Sequence, residues 1–238
     1  MNNKTWLRCI SSLLASLLLF SVGIHAPAAS AQSMLSSQPV TSQISKPQLF
    51  WAVPAFSLQD QDQHTLRQKD LLGQVWVASF IYTSCPDVCP LITRQMAALR
   101  DALATSNLLG DSVRLVSFSV DPRRDTPSVL RRYAQDFDAE NVQEWSFVTG
   151  KPAQMLQLLT EGFHLIVEPN VQAVSGEQSQ THSAATDEIA HSNRAMVIDR
   201  CGQVRAIHPV LDPERFRQLV TDLNSVVQEA SDCAATVG

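Results

Sequence analysis

The feature that most constrains the fold is a run of strand-forming residues, Val75 to Tyr82, that leads directly into two cysteines, Cys85 and Cys89. The run is almost entirely apolar or aromatic, which is typical of a strand. Apolar residues then recur at helical spacing: Leu91, Met96, Leu99 and Leu103. The sequence therefore predicts a strand, a short turn and a helix, with both cysteines in the first turns of that helix.

The spacing of Cys85 and Cys89 gives this pair its chemical interest. Residues four apart in a helix lie on one face, so both sulfurs would point the same way. The positive end of the helix favours the thiolate form. Two thiolates suit a soft metal ion, and the same pair lies within reach of a disulfide. Three interpretations follow: an inert disulfide, a redox pair one residue longer than Cys-x-x-Cys, and a metal site with reversible disulfide formation, which we favour.

Strand and helix patterns alternate along the rest of the chain. The predicted elements are a small hairpin (Pro54–Leu58 with Thr65-Leu66), strand Val113–Val120, helix Pro127–Phe137, strand Phe147-Val148, helix Ala153–Gly162, an extended segment Phe163–Val167, a hairpin (Ala195–Ile198 with Val204–Ile207) and a helix from Asp212-Pro213 to about Glu229. This alternation predicts a layered α/β sheet. A closing hairpin and helix after βαβ units is the thioredoxin-like order.

Two motifs carry a resemblance to a known family. Thr83–Pro90 reads T-x-C-P-D-x-C-P, and Ser119–Pro127 reads S-V-D-P-R-R-D-T-P. Fainter matches are Thr149-Gly150 and His191-Ser192. In these motifs the chain resembles the SCO/SenC copper proteins of cytochrome c oxidase assembly, from roughly Pro54 to Leu223. The resemblance implies an α/β, thioredoxin-like fold with an N-terminal hairpin extension and a long loop before the final β-hairpin.

The same resemblance implies a site for one copper ion, Cu(I) or Cu(II), formed by Cys85, Cys89 and His191. Two thiolates leave a cupric site short of a ligand, and imidazole is a suitable third one. His191 stands where the family places its ligand, although Ala190 replaces a residue that is commonly acidic. His182-Ser183 has a similar form but lies deep in the polar loop Pro169–Glu188, so we favour His191.

Two acidic residues also match family motif positions. Asp87 is expected either to cap the helix or to support the metal ligands from outside, and Asp121 either to cap a turn before Pro122 or to do the same. The neighbouring Arg123, Arg124 and Asp125 are predicted to form a solvated loop.

The first 31 residues are expected to be a signal peptide. Lys4 and Arg8 precede an apolar run from Ile10 to Ile24, and Ala29-Ser30-Ala31 has the small-residue form of a cleavage site. A retained membrane anchor is the alternative. The predicted organisation is residues 1–31 signal peptide, 32–48 flexible linker, 49–230 thioredoxin-like SCO domain and 231–238 C-terminal tail. The protein is therefore expected to be exported and periplasmic, or anchored facing the periplasm.

The charge of the chain argues against a nucleic-acid partner. The formal charge is −5, and removal of residues 1–31 would leave 16 basic and 23 acidic residues, or −7. An acidic surface without basic clusters does not suit a phosphate-rich partner.

A second cysteine pair, Cys201 and Cys233, is predicted to form a structural disulfide. From the turn at Cys201 the following strand runs away by about 20 Å. The final helix would return about 25 Å toward that turn. Export places both thiols in an oxidising compartment, where they would pair if they meet. The alternative is two unpaired thiols, one in a turn and one in the C-terminal tail.

The function implied by the resemblance is a metallochaperone rather than an enzyme. It would serve maturation of the copper centre of cytochrome c oxidase, by copper transfer, by reduction of target cysteines, or by both. The implied partners are the copper-receiving subunit of that oxidase and either another copper chaperone or a thiol reductant. The alternative is an exported thiol-disulfide oxidoreductase or thiol peroxidase that needs no metal, since one fold hosts all of these activities.

Overall fold

Residues 48–166 and 192–229 are described by the computed structural model. Their strands are β1 (Ser57–Gln59), β2 (Thr65–Arg67), β3 (Val75–Ile81), β4 (Val113–Ser119), β5 (Trp145–Val148), β6 (Arg194–Ile198) and β7 (Val204–Pro209). Their α-helices are α1 (Val88–Thr105), α2 (Pro127–Gln135), α3 (Pro152–Gln157) and α4 (Pro213–Gln228). A 3-10 turn, Gln68–Leu71, precedes β3, and a π-helical turn, Leu158–Gly162, continues α3.

The strand before the cysteines, β3, is the centre of a five-stranded sheet in the order β5-β4-β3-β6-β7. It runs parallel to β4 and antiparallel to β6. Every residue of β3 and β4 is buried. Both faces of these strands are therefore covered, which explains why the run is continuously apolar instead of alternating. The predicted α/β fold, with the thioredoxin-like order of elements, is confirmed.

The strand directions place the carboxyl ends of β3 and β4 and the start of β6 at the same end of the sheet. Because β3 and β4 are parallel, their carboxyl ends lie side by side. The antiparallel pairing of Ala78 with Met196 places the start of β6 at the same end. Cys85 follows β3 closely, and the described chain resumes at Ser192, just before β6. The cysteine turn and the entry to the final hairpin therefore lie at the same end of the sheet.

The predicted amino-terminal hairpin is present as β1 and β2. Its turn contains no glycine, and the Asp60 carboxylate organises it instead. This carboxylate accepts hydrogen bonds from the backbone N–H groups of Asp62 at 2.8 Å and His64 at 2.9 Å. Gln63 adopts the positive φ of 65° for which glycine is the usual choice.

An aromatic cluster fills the core beside the central strands. The ring of Phe118 lies 4.7 Å from Phe163, 5.7 Å from Phe56 and 6.0 Å from Phe80, measured between centroids. These contacts join β3, β4, the segment before β1 and the segment after α3 into one core.

The prediction of an extended segment at Phe163–Val167 was wrong for its described part. A π-helical turn ends at Gly162, and His164 has a φ of +50°. Phe163 is drawn fully into the aromatic cluster. Gly162 permits this path, because a Cβ there would meet the side chains of Leu158 at 2.8 Å and Pro54 at 3.0 Å.

The last helix returns to the β6–β7 turn as the sequence analysis required. The Asp212 carboxylate caps α4 by accepting hydrogen bonds from the N–H groups of Glu214 and Arg215. At the other end of α4, the Arg200 guanidinium donates to the carbonyls of Val226, Val227 and Glu229.

Cys201 follows Arg200 in this turn and is disulfide-bonded. Cys233 lies outside the described residues, so its pairing with Cys201 stays a prediction.

Several sequence predictions fall on residues outside the described ranges. They concern the signal peptide, nearly all of the linker, the loop Pro169–Glu188 and the tail 231–238. Within residues 48–166 and 192–229, no helix combines the length and the apolar character that crossing a membrane requires.

Candidate dithiol and metal centre

The two cysteines occupy different local structures. Helix α1 begins at Val88, so Cys89 is helical while Cys85 lies in the turn before it. The expectation that both cysteines are in the first turns of the helix was therefore wrong for Cys85. Instead, the Cys85 sulfur accepts a hydrogen bond from the backbone N–H of Cys89 at 3.4 Å. It thereby caps one of the N–H groups that a helix start leaves without an intrahelical partner.

Tyr82, the residue after β3, ties the two cysteines together. Its backbone N–H donates to the Cys89 sulfur at 3.5 Å, and its carbonyl accepts from the Cys85 N–H at 3.3 Å. Its side chain also hydrogen-bonds the Cys85 sulfur. From the sequence, Tyr82 is predicted only to end an apolar strand, and no sequence signal indicates its contacts with both cysteines.

The environment separates the two thiols in acidity. Cys85 is 7% exposed and Cys89 is fully buried. Burial favours the neutral thiol at Cys85, but hydrogen bonds from the N–H groups of Cys89 and Asp87 and from Tyr82 outweigh it, so the pKa of Cys85 lies below its ordinary value. Burial raises the pKa of Cys89 far above its ordinary value, and the neighbouring Cys85 adds to this. The pair is therefore an acidic thiol that retains a small exposed surface beside a fully buried, neutral one.

Asp87 contributes through its backbone. It occupies the residue before α1, but its carboxylate is exposed and makes no capping hydrogen bond. Its N–H donates to the Cys85 sulfur and lowers the pKa of that thiol.

Asp125 contradicts the prediction of a solvated loop. Arg123 and Arg124 are exposed, but Asp125 is fully buried. Its carboxylate accepts hydrogen bonds from the Thr83 hydroxyl at 2.6 Å, the Thr83 backbone N–H at 3.2 Å and the Ser119 hydroxyl at 2.6 Å. Burial raises the pKa of Asp125 despite these bonds.

Asp121 supports this arrangement from one step further away. Its carboxylate pairs with Arg124 at 2.8 Å. Its backbone N–H donates to the Ser119 hydroxyl at 3.1 Å, and its carbonyl accepts from the Asp125 N–H at 2.9 Å. Asp121 thus positions Ser119 and Asp125 by hydrogen bonds. Asp125, which also binds Ser119, in turn binds Thr83 just before Cys85.

Two buried hydroxyl groups, those of Thr93 and Tyr133, lie next to Cys89. The Thr93 hydroxyl donates to the Cys89 carbonyl at 2.8 Å and lies 2.8 Å from the Tyr133 hydroxyl. Burial raises the pKa of Tyr133 well above its ordinary value. These neutral hydroxyl groups provide a hydrogen bond to the Cys89 carbonyl in the first turn of α1 without adding charge beside the sulfurs.

The donor set fits a soft metal ion but is incomplete within the described residues. Two sulfurs at a helix start suit Cu(I) or Zn(II). Residues 48–166 and 192–229 contain no cluster of three or more His, Cys, Asp or Glu side chains that could hold a metal ion. His191, the predicted third ligand, and its rival His182 lie outside these ranges, so their roles stay predictions.

The histidines within residues 48–166 and 192–229 each contact another side chain. His64 is paired with Asp60 at 3.7 Å, and His208 with Asp222 at 2.7 Å. His164 stacks on Trp51 with centroids 4.1 Å apart.

Two free cysteines thus lie just after the central strand of a thioredoxin-like sheet, an arrangement suited to thiol redox chemistry or to binding a soft metal ion. The profile of the SCO1/SenC family matches residues 46–228. The chain therefore belongs to the SCO1/SenC family.

Individual relatives agree with this assignment. The SCO1 protein homolog of Bacillus subtilis is 28% identical over 181 residues, which are 76% of this chain and 85% of that protein. A Stutzerimonas stutzeri protein, named as a candidate copper-binding protein, is 28% identical over 171 residues, 69% of this chain and 79% of the relative. The structure of BsSco, described as a Sco-family cytochrome c oxidase assembly protein with a disulfide switch, gives a TM-score of 0.62 at 26% identity and covers 79% of this chain and 99% of that chain.

The acidity difference predicts selective alkylation. In the reduced protein, Cys85 should react with iodoacetamide about tenfold or more faster than Cys89, because one pKa unit is tenfold in thiolate fraction. Since the pKa of Cys85 is lowered, its rate should persist to lower pH than that of free glutathione. Peptide mass spectrometry after brief labelling between pH 6 and pH 9 (about one-unit steps suffice) measures both rates. Equal labelling of the two cysteines would contradict the assignment.

Proposed function

We propose that this protein is an exported copper metallochaperone that binds one copper ion through Cys85, Cys89 and His191. It serves maturation of the copper centre of cytochrome c oxidase. It works in the periplasm, either free or anchored facing it. Its partners are the copper-receiving subunit of the oxidase and either a chaperone that supplies copper or a reductant that restores the dithiol.

The observation that supports this proposal is that hydrogen bonds fix the positions of two sulfurs just after the end of β3. The backbone N–H groups of Tyr82 and Cys89 fix the two sulfur positions, so little ordering remains to be done when a metal arrives. Soft sulfur ligands favour Cu(I) and zinc over hard ions such as Mg²⁺ and Ca²⁺. Between these two, family membership and the copper-binding name of one relative favour copper.

A second candidate function is reduction of the target's cysteines, and the unequal acidity of the thiols favours it. The Cys85 thiolate would attack a target disulfide and form a mixed disulfide, while one target sulfur leaves as a thiolate. Cys89 would then attack Cys85, closing the intramolecular disulfide and releasing the second target thiol. The target gains two electrons and the dithiol loses them, so a reductant must restore it.

One experiment separates the two functions. The copper-loaded protein, mixed with the reduced, metal-free copper-receiving domain of the oxidase subunit, should lose its copper to that domain. The metal-free dithiol, mixed with the oxidised domain, should reduce its disulfide. Offered Cu(II), the His191→Ala variant should bind and transfer at most about a tenth of the copper that the wild type does, because loss of a ligand costs more than loss of an outer partner. It should reduce the disulfide at a rate close to wild type.

Metal analysis after gel filtration and thiol titration of the receiving domain give the two readouts. No copper recovered on the domain from the loaded wild-type protein would contradict copper delivery. Reduction without delivery would favour the second function.

A further inference from the structure

Thr83, Ser119 and Asp125 form a hydrogen-bonded cluster, the Asp125 clamp, immediately before Cys85. The Asp125 carboxylate is fully buried and accepts three hydrogen bonds, two from Thr83 and one from Ser119. Ser119 ends β4, and Thr83 begins the turn after β3. The clamp therefore fastens the cysteine turn to the neighbouring strand.

We propose that Asp125 is a positioning residue that fixes the turn carrying Cys85 and thereby sets the equilibrium between the dithiol and disulfide forms of Cys85 and Cys89. The inference rests on the proposed function in using the same cysteine pair, but it does not require copper. Asp125 acts through Thr83 and touches neither sulfur through its hydrogen bonds.

The clamp binds the short segment that connects β3 to Cys85. Only Thr83 and Ser84 separate Tyr82 from Cys85. Thr83 is held at both its N–H and its hydroxyl, and the Cys85 N–H is held by the Tyr82 carbonyl at 3.3 Å. A disulfide needs its two Cβ atoms within about 4.5 Å. The Cys85 sulfur lies 3.4 Å from the backbone nitrogen of Cys89, so a turn with this little freedom keeps the two cysteines close together, which favours closure of the disulfide.

The charge of the clamp acts in the same direction. The Ser119 hydroxyl accepts the Asp121 N–H at 3.1 Å, so its own hydrogen points to Asp125. With the N–H and hydroxyl of Thr83, three donors converge on the Asp125 carboxyl group, which favours its ionised form, because that form accepts at both oxygens and donates none. A buried negative charge disfavours thiolates nearby, so it favours the neutral disulfide. Both effects predict that loss of the clamp shifts the pair toward the dithiol.

The test is redox equilibration with glutathione, in which the protein disulfide and two glutathione thiols exchange with the protein dithiol and oxidised glutathione. Four full-length proteins are compared: wild type, Asp125→Asn, Thr83→Val and Ser79→Ala. Ser79→Ala is the matched control, because it also removes a buried hydroxyl hydrogen bond from β3, 2.8 Å to Ser117, but away from the cysteine turn. Acid quenching, alkylation and mass spectrometry give the dithiol fraction.

The Asp125→Asn variant should shift the equilibrium toward the dithiol by about tenfold or more, equivalent to about 30 mV. Thr83→Val keeps the carboxylate and removes one donor, so it should shift the equilibrium in the same direction by about threefold. Ser79→Ala should stay within about twofold of wild type.

Three results would overturn the inference. One is a Thr83→Val protein with the wild-type equilibrium, which would leave only a charge effect. Another is a Ser79→Ala shift as large as that of the clamp variants, which would indicate general destabilisation. The third is a wild-type pair that stays reduced over the whole glutathione range. Because no copper is present, failure of copper delivery would not be mistaken for any of these results.

Discussion

The Cys85→Ala and Cys89→Ala variants should each lose tight copper binding, under conditions where the reduced wild-type protein binds one ion per chain. The two sulfurs lie in one hydrogen-bonded unit, since the Cys85 sulfur accepts the Cys89 N–H and the Cys89 sulfur accepts the Tyr82 N–H. A single remaining thiol leaves the soft ion with one sulfur ligand. Outer partners of metal ligands are worth 10–100-fold in affinity, so loss of a ligand should cost more than about a hundredfold.

Competition with a chromogenic Cu(I) chelator measures this loss. Ser84→Ala is the matched control, because Ser84 lies in the same turn and its side chain is exposed. The control should bind copper as the wild type does. Full copper affinity in either cysteine variant would show that the ion binds elsewhere.

The sequence predicts the strand and helix around the cysteines well because their signals are local. The apolar run becomes β3, with all seven residues buried. The helical spacing of Leu99 and Leu103 marks the buried face of α1. The exact start of the helix is predicted less well from the sequence. Only the structure shows that Cys85 precedes α1, and there its sulfur caps the helix end instead of sharing a helical face with Cys89.

Asp125 shows what local reasoning misses. It follows two arginines and precedes a helix start, so it resembles a solvated residue. Its partner Thr83 is 42 residues away in the sequence. The contact exists because β3 and β4 are parallel neighbours that end side by side. The only sequence signal was that Asp125 belongs to the motif that ends in Thr126-Pro127, and a motif does not state whether a carboxylate faces water or protein.

The aromatic core was likewise not fully predictable from periodicity. Phe163 lies in an apolar segment that suggests a strand, yet it enters the core after a π-helical turn. Which path an apolar segment takes depends on the space left by Phe80 and Phe118, whose rings lie 5.0 Å and 4.7 Å from it. Tertiary packing decides such cases over local preference.

The His191→Ala variant should lose Cu(II) binding severely and Cu(I) binding much less. Two thiolates already satisfy the softer Cu(I) ion, whereas Cu(II) favours an imidazole as well. Among the described histidines, His64, His164 and His208 are each engaged with another side chain. The described chain resumes at Ser192, at the end of the sheet where Cys85 lies. His191 itself lies outside the described residues, and its role as the third ligand is the sequence-based prediction that this variant tests.

His182→Ala is the matched control, since it removes an imidazole from the polar loop Pro169–Glu188, nine positions earlier in the sequence. Titration with Cu(II), followed by the sulfur-to-copper charge-transfer absorption, reports the cupric site. A Cu(I) chelator competition reports the cuprous one. We expect the band to disappear or to weaken by about tenfold or more in His191→Ala and to be unchanged in His182→Ala. Both variants leave the two sulfurs and their hydrogen bonds in place. Loss of the band in the His182 variant instead would therefore show that His182, and not His191, is the third ligand.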